Sequence, residues 1–175
     1  MAVFLGNPGN QYRLTRHNAG WMVLDQPPFC DVSGWQKKFK GSWSQLRLDG
    51  RSVVLLKPET HMNKSGESVQ AAARFFKTRP EEIIVVHDDV ELTFGGCAIR
   101  AGGGLAGHNG LRSIVQHLST QEFWRLRIGV GRPGRGDLHH HVLGRFNEEE
   151  EAELETLLSQ AAARLVEALA GEPGH

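Results

Sequence analysis

The chain has 175 residues, 39% of them hydrophobic and 23% charged, which suits a globular domain with a sizeable core. No apolar run reaches the length of a membrane span, and the first residues lack the basic-then-apolar pattern of a secretory signal. Cys30 and Cys97 form neither a CxxC motif nor a metal-ligand spacing, which argues against a disulfide framework and favours a reducing cytoplasm.

The formal net charge of +0 hides an uneven distribution. From Asn147 onward the chain carries eight acids and one base, which leaves 19 bases and 12 acids in the residues before it. The body is therefore basic and the tail acidic. A basic body can attract phosphate groups, but a solvated surface followed by an acidic helix start explains the same charges. Charge alone does not decide between the two.

The first half of the chain predicts short strands and helices. In chain order these are a strand at 2–5, a helix at 20–24, strands at 42–48 and 51–56, and a helix from 65 to about 77. Gly6-Asn7-Pro8-Gly9 forms the loop after the first strand, and Pro27-Pro28 ends the first helix. Asp49-Gly50 between two strands is a strong hairpin signal.

The second half predicts alternating strands and helices. In chain order these are strands at 83–86 and 97–100, a helix at 109–118, a strand at 123–130 and a final helix that opens at 147. Residues 83–86 are a continuous apolar run, as expected of a strand buried on both faces. Asn147 and Glu150 resemble a capping box, and leucines recur behind them on one face. We therefore expect a single-domain α/β fold over residues 1–175, with a mixed β-sheet flanked by helices and a frayed tail at 171–175.

His87-Asp88-Asp89 comes directly after the predicted buried strand. In open α/β sheets, ligands gather outside the carboxyl ends of the strands. A carboxylate there can accept the N–H of an imidazole, fix its tautomer and stabilise the cation formed when the imidazole takes a proton. An aspartate that caps a local turn is the alternative, and the motif alone fits both interpretations.

Other candidates are ambiguous when each is taken singly. His17 precedes a helix and can act as a base near neutral pH, but it is one of nine histidines. Asn7, Asn63 and Asn109 lie at element boundaries, where their amides can hold a carbonyl, a ribose hydroxyl or an oxyanion, or simply cap the backbone. The run Gly102 to Gly107 satisfies GxGxxG but lacks the acidic residue of a dinucleotide site, so we interpret it as a mobile loop beside a ligand.

The remaining motifs are weaker. Residues 139–141 are three histidines, which in a strand or loop would point to opposite faces and suit one metal ion poorly. The sequence contains no phosphate-loop, serine-hydrolase or zinc-protease motif. A loose set of arginines can follow a phosphate backbone or be scattered surface charge. The set comprises Arg100, Arg112, Arg125, Arg127, Arg132 and Arg135.

Several stretches carry a family resemblance when they are taken together and in order. They are Leu5 to Gly9 with Tyr12, Thr15 to Gly20, Lys57 to Gly66, His87 to Asp89, Gly102 to Ile114, Arg125 to Pro133 and Val142 to Gly144. Together they cover nearly the whole chain, and they resemble the bacterial-type peptidyl-tRNA hydrolase family. One such motif is weak evidence, whereas seven in order are specific.

The resemblance implies hydrolysis of the ester that joins a peptide to the ribose at the tRNA 3′ end, a reaction of translation and ribosome rescue. By likeness, His17 is the base that activates water, Asp88 keeps it basic and oriented, and Asn7 distinguishes a blocked from a free amino group. Residues implied to line the pocket or bind substrate and tRNA are Tyr12, His61, Met62, Asn63, His108, Asn109, Arg100 and Arg127.

The resemblance implies a monomeric cytoplasmic protein with a twisted mixed sheet, no metal or organic cofactor, and no membrane partner. The partner is peptidyl-tRNA, held through the tRNA phosphate backbone and 3′ end without base readout. The chain departs from the family pattern at His61, where Tyr or Phe is usual, and after residue 24, where members continue a helix. Positions that are often basic carry Gly96, Ala98 and Ala101, so the basic set is thinned.

Two other functions stay open. The first is an RNA-binding relative that keeps the fold without turnover, such as an intron-splicing partner. Such a protein need not retain His17, Asp88 and Asn7 together, as this chain does. The second is an esterase that acts on small N-blocked esters, which the thinned basic set favours.

Overall fold

A seven-stranded sheet forms the centre of the computed structural model, which describes residues 1–171. The strands are β1 (Ala2–Phe4), β2 (Gln36–Lys38), β3 (Gly41–Leu48), β4 (Arg51–Pro58), β5 (Ile84–Asp89), β6 (Cys97–Ala101) and β7 (Trp124–Gly129). Their order is β2-β3-β4-β1-β5-β7-β6. The neighbours β4, β1, β5 and β7 are parallel, and the outer strands pair antiparallel. The predicted α/β class with a mixed sheet is confirmed.

Helices cover both faces of this sheet. They are α1 (Ala19–Met22), α2 (Ser65–Phe76), α3 (Asn109–Leu118), α4 (Leu138–Val142) and α5 (Glu148–Ala170). β1 divides its side chains between two apolar cores, because successive residues of a strand point to opposite faces. Ala2 and Phe4 pack into the core that α1 and α5 cover, and Val3 and Leu5 into the core beneath α2 and α3.

The continuous apolar strands lie in the middle of the sheet, as their composition predicts. Every residue of β1 and β5 is buried, which matches parallel strands that are covered on both faces. The capping box of α5 is also confirmed. The Asn147 side chain accepts the N–H of Glu150 at 2.8 Å, and the Glu150 carboxylate accepts the N–H of Asn147 at 3.0 Å.

The structure differs from the sequence prediction in several elements. The helix predicted at 20–24 is instead α1 flanked by 3₁₀ turns at Arg16–Asn18 and Val23–Asp25. The edge strand β2 was not predicted, because its Gln-Lys-Lys sequence contains no apolar residue. The histidines at 139–141 lie in α4, not in a strand or loop, because Asp137 caps a helix there by accepting the N–H of His140 at 2.9 Å.

The chain end and its relation to a membrane were also predicted. Gly171 is exposed and follows the last residue of α5, whereas the rest of the predicted frayed tail, 172–175, lies outside the described residues. Within residues 1–171, none of the helices has the length and apolar character needed to cross a bilayer.

The carboxyl ends of the parallel strands meet at one edge of the sheet, so the chain segments that follow these strands lie close to one another. Asn7 comes after β1, Met62 comes after β4, and Asp88 lies near the end of β5. The 3₁₀ turn with His17 and the first residues of α1 lie across this edge. Gly20 makes that approach possible because it has no Cβ atom to collide with the backbone at the end of β1 and in β5. Directly beside it, the Trp21 N–H donates to the Leu5 carbonyl at 3.1 Å.

A substitution at Gly20 tests this close approach. A Cβ atom added there would lie 2.5 Å from the Val86 carbonyl oxygen and 2.6 Å from that of Leu5. We expect Gly20→Ala to lower the free energy of unfolding by about 1–3 kcal/mol, the usual cost of overpacking. Gly134→Ala is the control because nothing lies within 4 Å of the added atom. Urea denaturation of both variants checks the prediction, which equal unfolding free energies would contradict.

Candidate active site

A buried histidine–aspartate pair lies at the carboxyl edge of the sheet. His17 Nδ1 lies 2.9 Å from Asp88 Oδ1 and 3.0 Å from Asp88 Oδ2. An ionised carboxylate only accepts hydrogen bonds, so Nδ1 carries the proton and donates. Nε2 of His17 is therefore the unprotonated nitrogen of the neutral ring, with a lone pair that can take up a proton.

A second imidazole shares the same carboxylate. His108 Nε2 lies 3.0 Å from Asp88 Oδ1, and by the same argument it donates. The other nitrogen, Nδ1, accepts the backbone N–H groups of Gly110 at 3.1 Å and Leu111 at 3.3 Å. His108 is thus the N-cap of α3, and its tautomer is fixed from both sides. The sequence resemblance placed it in the pocket lining, and the structure also gives it this bridging position.

The pKa shifts follow from these contacts. Burial acts to lower the pKa of His17, but the negative charge of Asp88 and the hydrogen bond to it outweigh burial and raise that pKa above its usual value. Burial would raise the pKa of Asp88, yet the two imidazoles and their hydrogen bonds hold it far below its usual range. Burial also lowers the pKa of His108, which Asp88 offsets only in part. The group therefore favours a charged Asp88, a neutral His108 and a basic His17.

His87 is a further buried histidine that was not among the predicted site residues. Its Nδ1 donates to the Asp88 carbonyl oxygen at 2.7 Å, and no partner of Nε2 is found among the described residues. Burial and the neighbouring His108 lower the pKa of His87 to about 3. The ring stays neutral at physiological pH and packs against His108, with centroids 5.2 Å apart. Its position directly before Asp88 in the sequence is the signal that could have found it.

Asn7 is held by a clamp of amide groups. Asn18 is fully buried, and its side chain accepts the Asn7 N–H at 2.9 Å and donates to the Asn7 carbonyl at 3.0 Å. The Asn7 side-chain oxygen accepts the Met62 N–H at 2.8 Å. Because that oxygen is engaged, the amide nitrogen Nδ2 is left as the donor that Asn7 can offer. Sequence reasoning missed Asn18, although it lies within the matched stretch Thr15 to Gly20.

A pocket of about 250 Å³ opens beside the two shared imidazoles. Its polar side is formed by His17, Asp88, His108 and Asn109. Its apolar side is formed by residues from three segments, namely Val90, Leu105, Leu138 and Val142. Asn7 is not part of its lining.

Three side chains in this group have metal-binding atoms that lie within 4.8 Å of one another, those of His17, Asp88 and His108. Their hydrogen bonds do not favour a metal ion. A metal on His108 Nε2 would require a proton on Nδ1, which would then face the N–H groups of Gly110 and Leu111. The donor pattern therefore suits a hydrogen-bonded proton-transfer group better than a metal centre.

The other predicted site residues lie in three different settings. Met62 is buried next to Asn7, whereas His61, Asn63 and Asn109 are exposed and Tyr12 is half-buried. Arg100 is exposed on β6. Arg127 donates through Nε to Asp89 at 2.7 Å and is largely buried, so this part of its guanidinium has an internal partner.

Two more arginines of the loose basic set have internal partners. Arg125 is 2% exposed, and its guanidinium donates to the carbonyl oxygens of Gly102 and Gly104. Arg132 pairs with Glu91. Arg125 therefore anchors the glycine-rich loop from inside, so it fits neither of the two interpretations left open for the arginine set, an exposed phosphate contact or a scattered surface charge.

Comparison with known proteins agrees with the geometry. The family model described as peptidyl-tRNA hydrolase matches residues 1–173. A peptidyl-tRNA hydrolase of Geotalea daltonii is 47% identical over 171 residues, which cover 97% of this chain and 89% of that protein. One from Sorangium cellulosum is 44% identical over 174 residues, covering 97% and 78%. The crystal structure of the Acinetobacter baumannii peptidyl-tRNA hydrolase superposes with a TM-score of 0.86 at 38% identity, covering 97% and 87% of the two chains.

The contact between His17 and Asp88 predicts a change in titration. Asp88→Asn removes the negative charge but leaves the burial, so we expect the pKa of His17 to fall. The ring proton resonances of His17, followed by NMR over pH, measure this pKa. Asp137→Asn is the matched control, since that carboxylate contacts the exposed His140 and should leave His17 unaffected. An unchanged His17 titration in Asp88→Asn would contradict the assigned pairing.

Proposed function

The chain belongs to the peptidyl-tRNA hydrolase family, and we propose that His17 is the general base of its reaction. The enzyme hydrolyses the ester bond between peptide and tRNA and releases free tRNA and free peptide. The observation that carries the proposal is the buried contact of 2.9 Å between His17 Nδ1 and Asp88, which leaves Nε2 as the basic nitrogen.

The proposed chemistry needs one water molecule and one imidazole. Nε2 of His17 removes a proton from water as the water oxygen forms a bond to the ester carbonyl carbon. The resulting imidazolium is stabilised by Asp88, whose own pKa stays low. When the bond from carbon to the ribose oxygen breaks, His17 returns the proton to that oxygen. General-base assistance of this kind supplies roughly 10²–10⁴-fold in rate.

Asn7 is proposed to hold the acyl group. The bond from Met62 to its side-chain oxygen leaves Nδ2 as the donor, and a donor fixed before reaction stabilises the negative charge that develops on a carbonyl oxygen. The clamp from Asn18 and the bond from Met62 support this assignment because they fix the orientation of the amide. The same donor favours a peptide carbonyl over a free ammonium group, which would explain a preference for blocked amino acids.

The remaining substrate contacts are proposed from the family resemblance, which assigns Asn63, Asn109, Tyr12, His61 and Met62 to the surroundings of the ester. Two of these assignments have structural support, since Asn109 lines the 250 Å³ pocket and Met62 donates to Asn7. The 3′ end of the tRNA enters from the side of the 250 Å³ pocket. Exposed arginines would contact the phosphate backbone there. Three members of the basic set are exposed without an internal ion pair among the described residues, and these are Arg100, Arg112 and Arg135.

We also propose that the enzyme acts as a monomer in the cytoplasm, with no metal ion or organic cofactor. The two free thiols support a reducing compartment. The mechanism accounts for hydrolysis without a metal, because an aminoacyl ester is already activated and a positioned water, a base and amide donors suffice.

His17→Ala tests the proposed base. We expect kcat on peptidyl-tRNA to fall by on the order of 10²–10⁴-fold, while tRNA binding is largely retained because the ring contacts Asp88 and not the tRNA body. Stopped-time hydrolysis and a filter-binding assay measure the two quantities separately. His140→Ala is the control, since that imidazole is exposed and contacts Asp137. A near-normal rate for His17→Ala would remove His17 from the base role.

Asn7→Asp tests the proposed acyl contact. The variant keeps an oxygen that can accept the Met62 N–H but replaces the amide donor with a second oxygen. Loss of one donor of this kind lowers kcat by roughly 10²–10³-fold, and we expect a decrease of that size. Asn10→Asp, at an exposed position three residues away, controls for the added charge. Single-turnover rates on N-acetylaminoacyl-tRNA provide the measurement, and equal rates for the two variants would argue against a donor role.

A further inference from the structure

A second pocket lies outside the residues assigned above. It has a volume of about 460 Å³, and its apolar wall is formed by Leu24, Phe29, Val32 and Trp35. This wall belongs to the chain segment after α1, where the sequence departs from the family pattern. Apolar side chains that line a pocket are its main means of holding a ligand, because removing apolar surface from water is favourable.

The charges at this pocket compensate one another. Lys37 Nζ lies 2.7 Å from Glu59, whose carboxylate also accepts the Ser42 hydroxyl at 2.7 Å. Asp25 and Lys57 also line the pocket, so its two acids and two bases leave no formal net charge to attract an ion. The expected ligand is therefore an uncharged apolar group.

The pocket is connected to Asn7 by contacts. The ring of Trp21 packs against Gly6, where an added Cβ atom would lie 2.5 Å from the ring. Lys57 Nζ lies 4.3 Å from the centre of the same ring, and Lys57 lines the pocket. Trp21 thus contacts both Gly6, which precedes Asn7, and a residue of the pocket wall.

The helical segment after His17 gives the distance. Asp25, which lines the pocket, comes eight positions after His17, and a rise of 1.5–2 Å per residue limits the span of these helical turns to about 12–16 Å. An extended peptide covers about 3.3 Å per residue. A peptide whose ester carbonyl lies beside His17, as the proposed chemistry requires, would therefore reach this pocket by its fourth or fifth residue.

We propose that this second pocket binds an apolar side chain of the nascent peptide, at the fourth or fifth residue from the ester. The inference rests on the proposed function, because it takes the peptide to lie on the Asn7 side of His17 and the tRNA on the other side. The pocket then adds affinity for long peptides to a site that cleaves every peptidyl ester.

Substrates of defined length test the proposal. The probes are N-acetylated aminoacyl-tRNA and hexapeptidyl-tRNAs that carry Leu or Asp at one position, from the second to the sixth residue counted from the ester. We expect Leu at the fourth or fifth position to raise kcat/KM by on the order of tenfold over Asp, mainly through KM, since burial of one Leu supplies enough free energy for this. A flat response, or a response confined to the second residue, would overturn the proposal.

Substitutions in the wall sharpen the test. For each enzyme, kcat/KM on the hexapeptidyl substrate with Leu at the fourth or fifth residue is divided by kcat/KM on the N-acetylaminoacyl substrate. We expect Val32→Asp and the isosteric Val32→Thr to lower this ratio toward the value that the wild-type enzyme gives with Asp at the same peptide position. Val166→Asp and Val166→Thr, at a partly buried valine of α5, are matched controls that should keep the wild-type ratio. An unchanged ratio in both Val32 variants would contradict the proposal. Failure of the wild-type enzyme to cleave even the short substrate would instead contradict the proposed function.

Discussion

The buried carboxylate of Asp88 is the group on which the site depends. A charge in this position is costly unless donors surround it, and here two imidazoles donate to it from different segments of the chain. The bond to Asp88 leaves Nε2 of His17 as the basic nitrogen, and burial keeps the His108 ring neutral. The cost of burying Asp88 is thus offset by the contacts that prepare His17 for proton transfer.

The fold supplies this arrangement through its parallel strands. β4, β1 and β5 are neighbours and end at the same edge of the sheet, so the chain segments after them are brought together without long loops. Both faces of these strands are covered, which keeps their ends fixed. The antiparallel strands at the sheet margins do not carry the histidine–aspartate pair. The chain differs from the family pattern near both margins, after residue 24 on one side and at Gly96, Ala98 and Ala101 on the other.

Much of this could be predicted from the sequence, because the signals were local or came from matched motifs. The buried strand that leads into His87 and extends to Asp89, the hairpin at Asp49-Gly50 and the cap at Asn147 each follow from short-range chemistry. The strand β2 could not be predicted from hydrophobicity, since its residues are polar and are ordered by pairing with β3. The helix at 138–142 depends on one cap, Asp137, which was not recognised.

Within the site, residue identities were easier to predict than their partners. His17, Asp88 and Asn7 were candidates for the chemistry that their side chains carry, and the family resemblance assigned their roles. The clamp of Asn18 on Asn7 and the internal bonds of Arg125 depend on the path of the backbone in three dimensions. The spacing of residues along the sequence does not predict which polar side chains line a pocket and which, like Arg125, bind the backbone of a loop.

The hydrogen bonds on the two sides of the His108 ring restrict which residues can replace it. A residue needed only as a helix cap could be Ser, Thr, Asp or Asn, and a residue needed only to donate to Asp88 could be one of several others. The imidazole has its acceptor and its donor on opposite sides of one rigid ring, whereas Asn has both at a single tip. Substitution of His108 is therefore more restricted than substitution of an ordinary helix cap. A replacement that preserved the cap of α3 would still remove one of the two imidazole donors to the Asp88 carboxylate.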